Sequence, residues 1–157
     1  MALQVKTTND ITGFFLNGGA PLIRDNETMA TSGAGPDIVN NTVLAQDPTT
    51  LKWTPIILAT ATDGTGWPRG IYQGDTILSA TIIAGDVTGI TVIVGAQVAL
   101  QVDEAKLVFE AGTLDLDTEL GVADAAGVNK KSMRAALNDL NIYPQTVQNF
   151  DQIAPVA

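Results

Sequence analysis

The sequence predicts a mainly β protein: a small antiparallel β-barrel or sandwich with an extended N-terminal arm and one short C-terminal α-helix. Three observations predict it. The apolar residues are mostly Ala, Val, Ile and Leu interleaved with Thr and Gly, a composition that suits pleated, half-buried surfaces. From Thr42 onward, short apolar runs recur at close spacing between Gly, Pro, Asn and Asp turn signals. Before that point, Gly, Ser, Asn and Pro are too dense for a regular element: Asn17-Gly18-Gly19-Ala20-Pro21 and Thr31-Ser32-Gly33-Ala34-Gly35-Pro36-Asp37. The organisation expected is therefore an arm over residues 1–41 and a β-rich domain over 42–157, with a helix near 130–141.

Within the arm, Leu3-Gln4-Val5-Lys6-Thr7 alternates apolar and polar residues with period two, which suits a strand added to the edge of a sheet. Ile11, Phe14, Phe15 and Leu16 form a short apolar patch. The first strand pair follows: Thr42–Ala45, a turn at Asp47-Pro48-Thr49-Thr50 with Pro at its second position, then Leu51–Thr54. The apolar run from Ile56 to Thr60 is broken by Asp63-Gly64-Thr65-Gly66, and Gly70-Ile71-Tyr72-Gln73-Gly74 opens another strand. Ile77–Ala84, Ile90–Val94 and Val98–Val102 complete the strand series. The helix is predicted from Met133, Ala136, Leu137 and Leu140 at three- and four-residue spacing, with Asn129 as N-cap and Pro144 beyond its end. Lys130, Lys131 and Arg134 lie at its N-terminal end, where the helix dipole disfavours cations, so another group is expected to neutralise them.

The 157 residues carry 17 carboxylates against 8 Lys plus Arg, and neither Cys nor His. That length supports a core without disulfides or structural metal. The absence of Cys and His removes thiol nucleophiles, thiolate zinc sites, the Ser-His-Asp triad and imidazole general bases together. With a sequence pI near 4.1, nucleic acid and anionic membrane surfaces are excluded as expected partners, since either would bring like charges together. The charge of −9 is diffuse: −2 over residues 1–41, −4 over 42–114 and −3 over 115–157. Charged residues are only 16% of the chain, and a surface so poor in charge predicts burial against another protein. No secretory leader and no membrane span are predicted, because Met1–Val5 lacks a basic region and the longest uncharged stretch, Val87–Val102, is short and threaded with Thr and Gly.

Four constellations bear on chemistry. Asp115-x-Asp117-x-Glu119-x-Gly121 resembles the opening of a calcium loop, but Gly stands one residue late and Ala126 occupies the twelfth position, so a half-buried strand with a solvated face is the expectation. Gly64, Gly66 and Gly70 lack the Lys-Ser/Thr pair of a nucleotide loop and read as turn residues. Trp67-Pro68-Arg69 offers an aromatic and a guanidinium, both frequent interface anchors, although Trp53, Trp67 and Tyr72 could equally plug a barrel end. Paired carboxylates for glycoside hydrolysis would need aromatic platforms and a cleft, and the chain has eight Phe, Trp and Tyr in all. No catalytic, cofactor or metal residues are assigned, and no enzyme activity is expected.

The order of features is more specific than any one of them. The arm is followed by Thr42-Val43-Leu44-Ala45-Gln46-Asp47-Pro48-Thr49-Thr50-Leu51-Lys52-Trp53, then Ala61-Thr62-Asp63-Gly64-Thr65-Gly66 leading into Gly70-Ile71, then Ile90–Val98 and Lys106–Phe109. Over residues 42–142 this resembles the head decoration (capsid cement) family of tailed bacteriophages, of the lambda type. Trp67-Pro68-Arg69 and the tail from Gln145 to Ala157 depart from the family pattern. The resemblance implies a structural virion protein, made in the host bacterial cytoplasm. It implies binding to the outside of the expanded capsid, where the protein cements neighbouring major capsid subunits against internal DNA pressure. The implied partners are the major capsid protein and further copies of the chain, as a homotrimer or else a homodimer. On that reading Leu3, Val5 and Thr7 contact the capsid by strand addition, Ile11, Phe14 and Phe15 by filling apolar grooves, and Trp67 and Arg69 serve as interface anchors. The alternatives are a carbohydrate-binding β module presenting Trp53, Trp67 and Tyr72 on one exposed face, and a tail-tube or baseplate subunit.

Overall fold

The structure is a computed structural model that describes residues 4–5, 13–17, 19–32, 35–57, 59, 61, 64–110, 113–121 and 131–147. Five strands close into a barrel: β2 (Pro21–Met29), β3 (Val43–Gln46), β4 (Trp53–Pro55), β5 (Gly70–Gln73) and β6 (Val87–Ala96), with β1 (Gln4–Val5) added at the edge of β2. The order around the ring is β2-β4-β3-β5-β6 and back to β2. All neighbours are antiparallel except β2 and β4, which meet in parallel at Met29 and Trp53. The expected small β-barrel with a short helix is thus the observed architecture.

Alternation along the strands separates two apolar layers. Met29, Leu44, Trp53, Tyr72, Ile90 and Val92, drawn from all five barrel strands, pack with Ile38 and Ile82 and fill the lumen. Val43, Ala45, Ile71 and Ile93 point the other way, against a second layer built by the C-terminal third. Gly70 is required where lumen side chains meet: a Cβ there would lie 2.5 Å from Val92 Cγ1 and 2.8 Å from the Ile93 carbonyl oxygen.

The β3–β4 hairpin forms as its sequence predicts. The Asp47 carboxylate accepts from the Thr49 and Thr50 amides at 2.7 and 2.9 Å, and the Leu51 amide donates to the Asp47 carbonyl. The Trp53 indole donates to Glu27 Oε2 at 2.9 Å, which satisfies the polar edge of a side chain otherwise sealed in the lumen.

The second layer comprises β7 (Leu100–Asp103), a 3₁₀ turn (Glu104–Lys106), helix α2 (Met133–Asp139) and β8 (Ile142–Gln145), with β7 and β8 paired in parallel. Met133, Ala136 and Leu137 are buried, as their spacing predicts. The helix is shorter than expected and is capped by Ser132, whose Oγ accepts from the Ala135 amide, while Asn129 lies outside the described residues. The cations at its N-terminal end are neutralised: Arg134 pairs with Glu104 at 2.8 Å and Lys131 pairs with Asp139. Lys130 lies outside the described residues.

Three expectations are corrected. The arm does not extend to residue 41, because Pro21–Met29 runs antiparallel along almost the whole of β6 and is a barrel strand. Residues Ser79–Ala84 form helix α1 (Ser79–Ala84) rather than a strand; the Asp37 carboxylate accepts from the Ser79 amide, and Ile82 plugs the barrel end. The run after Pro55 is not a strand among its described residues, although Ile56 and Ala59 are buried. Pro144 lies beyond the helix, as expected, and sits inside β8, tolerated because β8 has only one strand neighbour.

Candidate functional site

Three surfaces bring together the residues that the sequence singles out. At the N-terminal edge, Gln4 and Val5 pair antiparallel with Ile23 and Leu22 of β2, so this segment is a strand added to an exposed edge. The pairing covers two residues. Leu3, Thr7 and Ile11 lie outside the described residues. Phe14 and Phe15 do not belong to a free arm. Phe14 is 1% exposed within the main apolar core, its carbonyl accepts from the Asp103 amide at 2.8 Å, and its ring meets Phe15 edge-on at 5.1 Å. Phe15 forms a β-bridge with Val102 and packs against the same core. A large apolar side chain does not leave such a site for a partner's groove without exposing the core beneath it.

The second surface is the tip of the β3–β4 hairpin. Trp67 is partly buried against the main core, whereas Arg69 is exposed and held by its amide, which donates to the Leu44 carbonyl at 2.8 Å. Beside it stands Leu51, which sequence reading missed as a contact residue. Its side chain is 63% exposed and its φ is +59°, a left-handed conformation that a leucine rarely adopts. Leu51, Arg69, Gln46, Pro48 and Gly64 border an open groove of about 330 Å³. The only hint in the sequence is a leucine directly after an Asp-Pro-Thr-Thr turn, where polar residues are usual.

The third surface is a groove of about 390 Å³ over the second layer, between the 3₁₀ turn, α2 and residues 115–117. Leu107 and Leu116 form its floor with the half-buried Phe109. Asp115 and Asp117 are exposed on its rim. The Arg134–Glu104 pair also borders it, with hydrogen bonds from Thr146 and Arg134 holding the Glu104 carboxyl below its usual range. The expected strand across 114–120 is instead an Asx turn: Asp115 Oδ1 accepts from the Asp117 amide and the Thr118 hydroxyl. Its predicted in-and-out alternation nevertheless holds, with Leu116 and Leu120 buried and Asp115, Asp117 and Glu119 exposed. Among the described residues, no group of three or more carboxylates is placed to hold a metal ion.

Comparison with family models, with curated proteins and with solved structures finds no match for this chain.

The aromatic platform expected of a carbohydrate-binding module is not formed. Trp53 is 1% and Tyr72 4% exposed inside the barrel, with the Tyr72 hydroxyl donating to the Asp75 carbonyl, while Trp67 packs on the other apolar layer. The alternative that sets these three residues on one exposed face is corrected accordingly. Among the described residues, no helix is long and apolar enough to cross a membrane.

One polar group is left in tension. Glu110 lies beneath the loop near Gly35 and beside α1, with Oε2 buried and unpaired, and burial pushes its carboxyl above the usual range. Asp86 is the opposite case. Its carboxylate takes hydrogen bonds from Lys52 and from the amide and hydroxyl of Thr31, which lower its pKa to about 2 and tie together the loops ending β2, opening β4 and opening β6.

Proposed function

We propose that this protein is a head decoration protein that binds the outer surface of an expanded phage capsid and cements neighbouring capsid subunits against the pressure of packaged DNA. The observation that carries the reading is the two-residue strand β1 on the edge of β2. A pairing that short contributes little in isolation, and the backbone groups of Gln4 and Val5 that make it can pair equally with the edge of a neighbouring sheet. The compact barrel supplies a rigid body, and an oligomer holding several such segments detaches only when all release together. Diffuse acidity suits an outer layer facing solvent, and low charge density suits faces buried between subunits and shell. Major capsid protein and further copies of the chain are the partners.

The arm that makes the contact ends before Gly13 on this reading, since Phe14 belongs to the core. The test is co-sedimentation with expanded heads lacking the protein. Full-length chain saturates a fixed number of sites, and a chain lacking residues 2–12 folds but does not bind. Undiminished binding of the truncated chain overturns the arm's role, and failure of the full-length chain to bind overturns the function.

A further inference from the structure

We infer that Leu51 and Arg69 of one copy dock into the acid-rimmed groove of a second copy, building a head-to-tail oligomer. Three observations converge. The hairpin presents Leu51 rather than burying it, with the backbone held in a left-handed conformation by the Asp47 turn. Backbone strain that places an apolar side chain in solvent is the pattern found at contact sites.

Arg69 stands beside it without an ion-pair partner among the described residues. Six cations lie among the described residues, and four of them form ion pairs, Lys52 with Asp86, Lys106 with Asp103, Lys131 with Asp139 and Arg134 with Glu104. Arg24 and Arg69 form none with a described residue, and of these two Arg24 is half-buried and Arg69 exposed. In a chain of net charge −9, self-association needs its few free cations at the contact.

The third observation is the complementary groove. Its floor is apolar, from Leu107, Phe109 and Leu116, and its rim carries Asp115 and Asp117. Glu104 there is already neutralised by Arg134, so the two aspartates are the uncompensated charges. Leucine over an apolar floor and guanidinium against a carboxylate rim match in chemistry.

The two surfaces share no residue and flank opposite ends of β3. The strand segment at Val108 bonds to Val43 at the start of β3, whereas the Leu51 turn follows its end at Gln46. One sits on the barrel and the other on the layer packed against it, so a second copy is what brings one against the other. A contact between unlike patches is heterologous and propagates round a ring when the rotation closes. The inference deepens the decoration reading by naming the self-association surface, and it is tested without capsids, so the two fail separately.

The experiment measures molar mass by light scattering and sedimentation for wild type, Arg69→Asp, Asp117→Lys and the double variant carrying both. Both positions are exposed, and unchanged circular dichroism confirms that each variant folds. Wild type is oligomeric, and each single variant, which opposes like charges across the contact, dissociates at concentrations at least ~10-fold higher than wild type. The double variant, in which the charges are exchanged, regains the oligomer. A wild type that is monomeric at every concentration, single variants of unchanged mass, or a double variant that stays dissociated each overturn the proposal.

Discussion

Replacing Phe14 with alanine separates a chain whose arm ends before Gly13 from one in which the arm continues through Phe15. Phe14 is 1% exposed and packs in the main core with Phe15 edge-on at 5.1 Å. A buried phenylalanine removes about 200 Å² from water, and alanine retains roughly a third of that. The ~130 Å² lost, at about 25 cal/mol per Å², corresponds to ~3 kcal/mol. Incomplete collapse of the cavity raises this toward ~4 kcal/mol, within the usual range for such substitutions. With a urea dependence of about 2 kcal/mol per molar, the unfolding midpoint of Phe14→Ala falls by ~1.5–2 M. Urea titration followed by Trp fluorescence measures it, since Trp53 in the lumen reports the barrel. A shift under ~0.5 M, equal to about 1 kcal/mol, refutes the placement of Phe14 and returns it to a free arm.

Four further substitutions have defined outcomes. Gly70→Ala forces a methyl group to within 2.5 Å of Val92 Cγ1 and against the Ile93 carbonyl, and lowers stability by about 1–3 kcal/mol in the same titration. Glu27→Ala leaves the buried Trp53 indole N–H without its acceptor, costs about 1–3 kcal/mol and shifts the Trp emission. The carboxyls respond to pH in opposite senses. Glu110 has a raised folded pKa, so it favours the folded state below its unfolded pKa of 4.5 and opposes it as pH rises through the folded value; Glu110→Gln is therefore more stable than wild type at pH 7, and the difference disappears below about pH 4. Asp86 has a lowered folded pKa, so its contribution is present above 3.8 and is lost as pH falls toward about 2; Asp86→Asn reduces stability at pH 7 and converges with wild type at the acid end of a pH series of urea titrations.

Local chemistry made part of the fold legible in the sequence. The β3–β4 hairpin is encoded within a dozen residues by Asp47, whose side chain and backbone close the turn over Thr49, Thr50 and Leu51. Helix α2 is likewise marked by Met133, Ala136 and Leu137 on one face. Strand β2 was hidden because Arg24-Asp25-Asn26-Glu27-Thr28 is polar and lies between Gly-rich stretches; β6, far along the chain, makes it a strand, and bulges with Asn26 at φ +59° accommodate the irregular pattern. In α1, Thr81-Ile82-Ile83 favours a strand by propensity, yet the Asp37 cap and the space at the barrel mouth for one isoleucine select a helical turn. Tertiary context decided both.

The candidate contact surfaces divide in the same way. Arg69 was legible as an anchor because Trp-Pro-Arg interrupts a turn-rich stretch, and it is exposed. Leu51 was not, because its exposure arises from a backbone conformation rather than from residue type. Phe14 and Phe15 were misassigned because an apolar patch flanked by Asn and Gly looks alike whether it seeks a partner or its own core, and Val102 and Asp103, which receive it, come some ninety residues later.

The central claim is mechanical, and retention of packaged DNA tests it most directly. Filled, expanded heads lacking the protein are heated with and without saturating purified chain, and released DNA is followed by dye fluorescence. The account predicts that heads carrying the protein release their DNA at a higher temperature, and that chain lacking residues 2–12 gives no protection. Heads that bind the protein yet burst at the same temperature as bare heads contradict it.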